Sequence, residues 1–137
     1  MAYEENQERI SLDADASIGI YTGPPGARGT TPPYSGMQYR FVKVTGDHAA
    51  GLCTAATNEA AIGVLQNKPQ HVGNASEIAI SGVTRIQVAG TVAAGDGIKA
   101  NSTGQGVKAT AGTDTALAIC TKGAASGQLA SALLRAN

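Results

Sequence analysis

Hydrophobic and polar residues alternate most clearly along the segment Glu77–Ala100. From Val83 to Ala89, every second side chain is expected on one face of the chain and the intervening side chains on the other. The segment is rich in β-branched residues, which favours a strand over a helix. Its glycines divide the run into short pieces, which is typical of the tight corners of a small barrel. These glycines are Gly82, Gly90, Gly95 and Gly97.

Further short strand patterns occur along the chain and are separated by turn signals. They are Gln38–Thr45, Leu52–Thr57, Ala61–Gln66, Ile98–Ala100, Val107–Thr110 and Ala116–Lys122. Asn101–Gly106 is rich in turn residues, so we expect the two strands beside it to form a hairpin. Turns that recur about every 8–12 residues indicate an all-β fold. The expected architecture is a small Gly/Ala-rich β-barrel or β-sandwich with an extended N-terminal arm.

The segment Gln128–Arg135 leaves two alternatives open. Leu129 and Leu133 fall on one side of a strand and Leu134 on the other, which suits a last strand that is buried when the barrel closes. Because Ala and Leu also favour helices, a short C-terminal helix is the alternative.

Residues 1–36 are expected to form an extended arm, and residues 37–137 a compact β domain. Residues 1–9 are polar and offer no apolar face that would anchor a helix. Two short extended candidates follow, at Ile10–Leu12 and Ile18–Tyr21. Thr22–Gly36 contains four of the five prolines, and proline fixes φ and lacks the N–H that a strand ladder needs. Such a segment acts as a stiff spacer and becomes ordered when it lies across a partner surface.

The composition predicts a core of small side chains. Among 137 residues there are 18 glycines, one Phe and no Trp. Because Ala and Val bury little area each, at about 25 cal/mol per Å² of apolar surface, an isolated copy gains little from its core. Burial against other copies or against a larger partner would add stability, which is a first indication of an assembly protein.

The charges are balanced overall but unevenly placed. Ten basic and ten acidic residues give a net charge of zero, which argues against electrostatic binding of nucleic acid. Residues 1–15 carry five acids and one base, a net charge of −4, so residues 16–137 carry five acids and nine bases, a net charge of +4. The acidic segment could dock on the basic body of a neighbour, or it could be a solvated tail.

No catalytic, cofactor or metal site is expected from the residues. His48 and His71 stand alone in loops without ligands at metal-site spacing. Cys53 and Cys120 lie in apolar runs and are expected to be buried free thiols. No nucleophile motif or phosphate-binding loop is present, so we predict that the protein is not an enzyme. The sequence shows no signal peptide and no apolar run of the roughly 18 residues that a membrane span needs, so a soluble protein made in a cytoplasm is expected.

A carrier domain is one alternative. The run GTVAAGDGIKA…GQGVKA is similar to the Gly-rich hairpins on which lipoyl and biotinyl carriers expose a modified lysine. Lys99 or Lys108 would be the modified residue. Both lysines lie in the arms of the predicted hairpin instead of at its tip, and the residues that flank the carrier lysine are absent, which disfavours this function.

The order of motifs from Tyr39 to Leu134 carries a family resemblance. An A-I-G-V strand precedes G-V-x-x-x-x-V-A-G-T-V-A-A-G-D and K-A-x-x-x-G-x-x-V-K-A-T, and a late A-L-A strand with G-A-A-S-G-Q-L closes the series. This order resembles the capsid cement, or head decoration, proteins of tailed bacteriophages. The resemblance implies a structural virion protein on the outer capsid surface, made in the bacterial cytoplasm. It further implies trimers that clamp neighbouring major capsid subunits; a fibre-base protein or another minor virion component is the alternative.

The arm and its base supply the expected contact residues, because aromatic and extended proline segments suit interfaces. The arm is expected to lie across capsid subunits or across an adjacent copy of the chain. The alternative for the tyrosines is ordinary packing at the base of the arm. The predicted contact residues are Tyr21, Pro24, Pro25, Arg28, Pro32, Pro33, Tyr34 and Tyr39.

Overall fold

The computed structural model describes residues 4–18, 37–54, 60–69 and 71–134. These residues contain nine β-strands and no helix. The strands are β1 (Glu5–Ala14), β2 (Phe41–Gly46), β3 (Ala49–Leu52), β4 (Ala61–Leu65), β5 (Ala75–Gln87), β6 (Gly97–Ala100), β7 (Gly106–Lys108), β8 (Ala118–Lys122) and β9 (Leu129–Leu134). The all-β prediction is therefore confirmed, and the Gln128–Arg135 segment forms a strand from Leu129 to Leu134.

Five of the strands close into a barrel. Their order is β1-β3-β2-β4-β5, and β5 pairs back with β1. The β1–β5 pairing is antiparallel and runs from Asp13 opposite Ala75 to Glu5 opposite Val83. On its other side, β1 runs parallel to β3, where Ala14 lies opposite Ala50. Closure gives each of these strands a neighbour on both sides, which removes the free edges that an open sheet would present.

The long strand β5 belongs to the barrel and to a second sheet. Its first half pairs with β1 and β4, and its second half pairs with β9 from Val83 opposite Leu133 onward. The second sheet continues in the order β5-β9-β8-β6-β7. Gly82 lies where β5 passes from the barrel into the second sheet. Its φ of 86° is a backbone conformation that residues with a side chain rarely adopt. The expectation that Gly82 ends a strand was therefore wrong: it bends β5 without interrupting it.

Two apolar clusters hold the sheets together. The first draws on all five barrel strands and includes Val42, Leu65 and Ile78. The second lies between the outside of β2 and β4 and one face of the second sheet, and it includes Phe41 and Ile98. Ala, Val and Ile supply most of both clusters, in agreement with the predicted small-residue core. Cys53 and Cys120 are buried and are not joined in a disulfide, as expected.

The N-terminal segment departs from its prediction over residues 5–14. These residues form β1, which is one of the five strands of the barrel wall. Residues 1–36 were expected instead to be an arm outside the compact domain. The polar residues of β1 mislead because only one of its faces meets the barrel interior, at Leu12 and Ala14. Thr22–Gly36 lies outside the described residues, so its extended conformation stays a prediction.

Most other elements match the sequence pattern to within a few residues. The Asn101–Gly106 turn joins β6 and β7 in an antiparallel hairpin, as predicted. The side chain of Asn101 stabilises the turn because its Oδ1 accepts hydrogen bonds from the backbone N–H groups of Thr103 and Gln105, at 2.9 and 3.0 Å. The strand expected at Leu52–Thr57 coincides with β3 only at Leu52, and Cys53 and Thr54 lie outside any strand. The rest of the predicted strand, Ala55–Thr57, lies outside the described residues.

Acid is expected to weaken the second sheet through Asp114. Its carboxylate accepts a 2.8 Å hydrogen bond from the backbone N–H of Thr110 and pairs with Lys99 at 2.9 Å. The Thr110 hydrogen bond, assisted by Lys99, lowers the pKa of Asp114 from its ordinary value of 3.8. A lowered folded-state pKa contributes stability above the ordinary value, and this contribution is lost as the pH falls through the folded-state pKa.

We therefore expect the free energy of unfolding to decline below about pH 4, and to decline less steeply in Asp114→Asn. Urea unfolding of both proteins between about pH 7 and about pH 3 measures the difference. Equal pH dependence in the two proteins would contradict the role assigned to this carboxylate.

Candidate interaction surface

Of the predicted contact residues, Tyr39 is described, and the other seven lie outside the described residues. Tyr39 has a φ of 67°, an uncommon conformation for a residue with a side chain. Its backbone N–H donates to the carbonyl of Leu65 at 2.7 Å, and its carbonyl accepts from the N–H of Gln87 at 2.9 Å. The half-buried side chain packs against the second apolar cluster. Tyr39 thus links the barrel to the second sheet, and its contact with a partner stays a prediction.

The outer face of the second sheet carries a line of apolar side chains across adjacent strands. Val83 on β5 lies opposite Leu133 on β9, and Leu133 lies opposite Ile119 on β8. We call Val83, Leu133 and Ile119 the apolar row. Residues directly opposite in an antiparallel pair share a face, with their Cβ atoms about 5 Å apart. The row is therefore continuous across three strands.

The apolar row is open to solvent at its centre. Leu133 is 46% exposed, and Val83 and Ile119 beside it are partly buried. The alternate residues Ala130, Ala132 and Leu134 of β9 point inward and are buried in the second apolar cluster. The expectation that Leu129 and Leu133 would be buried by closure was wrong, because the barrel closes through the pairing of β1 with β5. Ser131, which lies between the two leucines on the same face, is buried. Leu129 is 38% exposed on the same face.

Cationic side chains lie beside the apolar row on the same face. Arg85 is opposite Ser131 on β9, and Ser131 is opposite Lys122 on β8. Among the described residues, the ion pairs join Arg9 to Glu77, Lys99 to Asp114 and Lys108 to Asp96. Arg85 and Lys122 therefore have no acidic partner among the described side chains. The outer face of the second sheet is both apolar and positively charged.

A second surface, on β1, is acidic and lies next to the apolar row. Glu4, Glu8 and Asp13 are exposed, and the backbone of Glu5 pairs with that of Val83. Ile10 is 38% exposed although it lies opposite the buried Ile78, on the same side of β1 as Leu12 and Ala14. The unequal charge distribution seen in the sequence thus becomes two neighbouring surfaces of opposite sign.

The lysines considered as carrier residues form ion pairs, and His48 lies in a turn. Lys99 and Lys108 lie in the arms of the β6–β7 hairpin and form ion pairs with Asp114 and Asp96, at 2.9 and 3.5 Å. His48, with a φ of 53°, lies in the turn between β2 and β3. Within the described ranges, no group of His, Cys, Asp and Glu side chains could hold a metal ion. The same part of the chain contains no helix that is long and apolar enough to cross a membrane.

The alternation in β5 was visible in the sequence, but its exposed side was not. Val83, Arg85 and Gln87 were expected on one face, as the structure shows. Which face is covered depends on the neighbours of β5, and these come from residues about 50 positions away in β9. The separation of the charges was the one sequence signal that bears on this surface.

The fold is a closed five-stranded barrel whose longest strand extends into a second antiparallel sheet. Among solved structures, it is similar to the one described as "The crystal structure of head fiber gp8.5 N base in bacteriophage phi29". The TM-score is 0.62, and the comparison covers 95% of this chain and 95% of that chain at 14% sequence identity. At this identity the similarity shows a shared fold. Comparison with protein-family models gave no match, and comparison with curated proteins gave none either.

Proposed function

We propose that this protein is a structural component of a tailed-bacteriophage virion that binds the outer capsid surface as a cement protein. The fold similarity to a phage head fiber base, over nearly the whole of both chains, is the observation that carries the proposal. The order of sequence motifs between Tyr39 and Leu134 supports it independently. In this role the protein is not an enzyme, and it stabilises contacts between major capsid subunits.

The physical properties of the chain support a role in assembly. Its core is built from small side chains, and Leu129 and Leu133 are exposed on the outer face of the second sheet. Binding to a shell adds stability in proportion to the logarithm of partner concentration over the dissociation constant. Many copies on one shell also gain from multivalency, so each contact can be weak. We propose that the bound form is a homotrimer and that its partner is the major capsid protein.

A fibre base is the second candidate, and the printed description of the similar structure favours it. The two functions differ in copy number. A cement protein should approach the number of major capsid subunits in each particle, whereas a fibre base is needed only where a fibre is attached. Quantitative mass spectrometry of purified particles therefore separates them.

Binding to phage heads that lack this protein tests the proposal directly. We expect the full chain to saturate such heads, and the decorated heads to retain their DNA at higher temperature than bare heads. Cryo-EM of the decorated heads would locate the protein. Absence of binding to heads from the phage that encodes the chain would contradict both virion roles.

The same assay tests the proline-rich segment, provided that the variant retains β1 and therefore the barrel. Deleting the whole of residues 2–36 would remove β1, so the sharper variant replaces Thr22–Gly36 with a Gly/Ser segment of equal length. If this segment lies across capsid subunits, its replacement should weaken head binding by about tenfold or more. Circular dichroism and thermal unfolding provide the control that the barrel is unchanged.

A further inference from the structure

We propose that the outer edge of β1 is a docking site for an extended strand of another protein, which joins the barrel wall by β-strand addition. The site consists of the backbone of Arg9 and Ser11 and the side chains of Ile10 and Val44, and we call it the β1 notch. The incoming strand comes from the major capsid protein, and this source rests on the proposed function.

The wall of the barrel has a gap beside β1. The strand β3 begins at Ala49, and its pairing with β1 is confined to Asp13 and Ala14. From there β1 continues toward Glu5, paired with β5 on its other side. Among the described residues, no strand lies on the β3 side of residues 5–12. Such an edge is a template for pairing with a strand from another chain.

The direction of the backbone groups identifies the part of β1 that can accept a strand. The N–H of Asp13 donates at 2.8 Å to a carbonyl in the turn before β3, and the N–H of Ala14 donates at 2.8 Å to a carbonyl just before β5. Backbone groups of successive residues in a strand point alternately to its two sides. Those of Arg9 and Ser11 therefore point to the β3 side, and both residues are exposed.

Two apolar side chains on the barrel-facing side border the same gap. Ile10 lies on the same side of β1 as Leu12, and Val44 on β2 lies opposite the buried Ala50. Ile10 is 38% exposed and Val44 is 55% exposed. In the barrel order, β3 is the strand between β1 and β2, and it starts beside these two side chains. An apolar side chain on an incoming strand would extend the barrel cluster over both.

The exposed charges around the β1 notch are mainly acidic. Glu8 and Asp13 on β1 are exposed, as is Asp47 in the turn between β2 and β3. The cation within the notch, Arg9, pairs with Glu77 at 3.5 Å. An incoming strand that carries lysine or arginine therefore complements the charge of the site, which favours the encounter and its register.

These features define the chemistry of the partner strand. Residues directly opposite each other in paired strands share a face, so the residue opposite Ile10 points to the barrel and should be apolar. Its two neighbours point outward beside Arg9 and Ser11 and should be polar, with a basic residue nearest Asp13. The partner is thus a short extended segment in which apolar residues alternate with polar or basic ones. So short a contact is weak in one copy and gains from repetition on a shell.

Amide hydrogen exchange of the free full chain, followed residue by residue by NMR, tests whether the edge is open. The amides of Ile10 and Leu12 point toward β5. We expect those of Arg9 and Ser11 to exchange at least about tenfold faster. Slow exchange at all four amides would show that another part of this chain covers the edge, and the proposal would be wrong.

A short capped peptide of alternating Lys and Val is the probe for binding. At about 2 mM peptide, where contacts of millimolar affinity are populated, exchange at Arg9 and Ser11 should slow by about threefold. The resonances of Ile10 and Val44 should shift with it. A peptide with Glu in place of Lys, and a Lys/Val peptide with N-methylated backbone nitrogens, should bind at least about fivefold more weakly. Equal effects of the three peptides, or no effect of the first, would overturn the proposal.

Binding to phage heads tests the source of the strand. On decorated heads, hydrogen exchange of the β1 segment should be slower than in the free chain. Asp13→Lys reverses an exposed charge and should weaken binding by at least about fivefold. Ile10→Lys places a charge at the apolar side of the notch and should weaken it further; urea unfolding checks that its barrel is intact. Val72→Lys is the matched control, because Val72 is 45% exposed in the loop before β5.

The outcomes separate this proposal from the virion role. Heads that bind the chain without slower exchange in β1, or that bind Asp13→Lys and Val72→Lys equally, would overturn strand addition and leave capsid binding in place. A chain that binds the Lys/Val peptide at the notch but does not bind heads would overturn the capsid as the source of the strand, and the proposed function with it.

Discussion

A chain that lacks residues 1–14 is expected to lose cooperative folding. These residues include β1, which pairs with β5 from Asp13 to Glu5 and with β3 at Asp13 and Ala14. Its removal opens the barrel, exposes an edge of β5 and an edge of β3, and uncovers the apolar cluster that Leu12 and Ala14 help to close. A domain of this size is stable by about 5–15 kcal/mol, so the loss of a strand paired on both sides leaves no cooperative fold.

Thermal unfolding followed by circular dichroism measures this effect. The matched control removes residues 1–4 and retains β1; its stability should change by no more than about 0.5 kcal/mol. A synthetic peptide of residues 1–18, added to the shortened chain, should restore the transition by supplying the missing strand. A sharp, unshifted transition in the shortened chain without the peptide would show that β1 is an accessory arm and not part of the barrel.

Gly63→Ala is expected to destabilise the protein by about 3 kcal/mol, the upper range for overpacking a well-filled site. A Cβ atom at position 63 would overlap the backbone carbonyl of Ala79 on β5 and lie 2.8 Å from Cγ2 of Ile78. Neither group is the end of a flexible side chain, so β4 would have to move away from β5. This movement would break the backbone pairing of Val64 with Ala79, which joins β4 to β5 in the barrel.

Urea unfolding of the variant measures the loss as a shift of the midpoint. Gly46→Ala in β2 is the matched control, because a Cβ atom there meets only Cβ of Ala49 at 3.7 Å, an ordinary contact. Its stability should differ by no more than about 0.5 kcal/mol. If the two alanine variants unfold at the same midpoint, the close approach of β4 and β5 at Gly63 does not stabilise the barrel.

The sequence predicted the local elements well because strands and turns leave local signals. The alternation in β2, β4 and β5 and the turn at Asn101–Gly106 can each be read from neighbouring residues. Closure could not be read in this way, because β1 pairs with residues about 65 positions away and its own residues are largely polar. Gly82 shows the same limit, since a glycine that bends a continuous strand has the same sequence signal as one that ends it.

The candidate surface was only partly predictable for a related reason. Charge can be counted along a chain, so the excess of acids before residue 16 indicated an electrostatic contact. Exposure depends on which strand lies beside which, so Leu133 was expected inside and is found outside. The proline-rich segment Thr22–Gly36 keeps its predicted contact role, which the head-binding assay tests.

The pairing of β1 with β5 also sets the order of events during synthesis. Glu77 follows its partner Ser11 by 66 residues. At an elongation rate of roughly 20 residues per second, the first strand therefore waits about 3 s for its partner to be made. Throughout that interval the nascent N-terminus is an unpaired strand that carries an excess of carboxylates. Like charges on two such strands disfavour their pairing with each other if they meet before each completes its own ring.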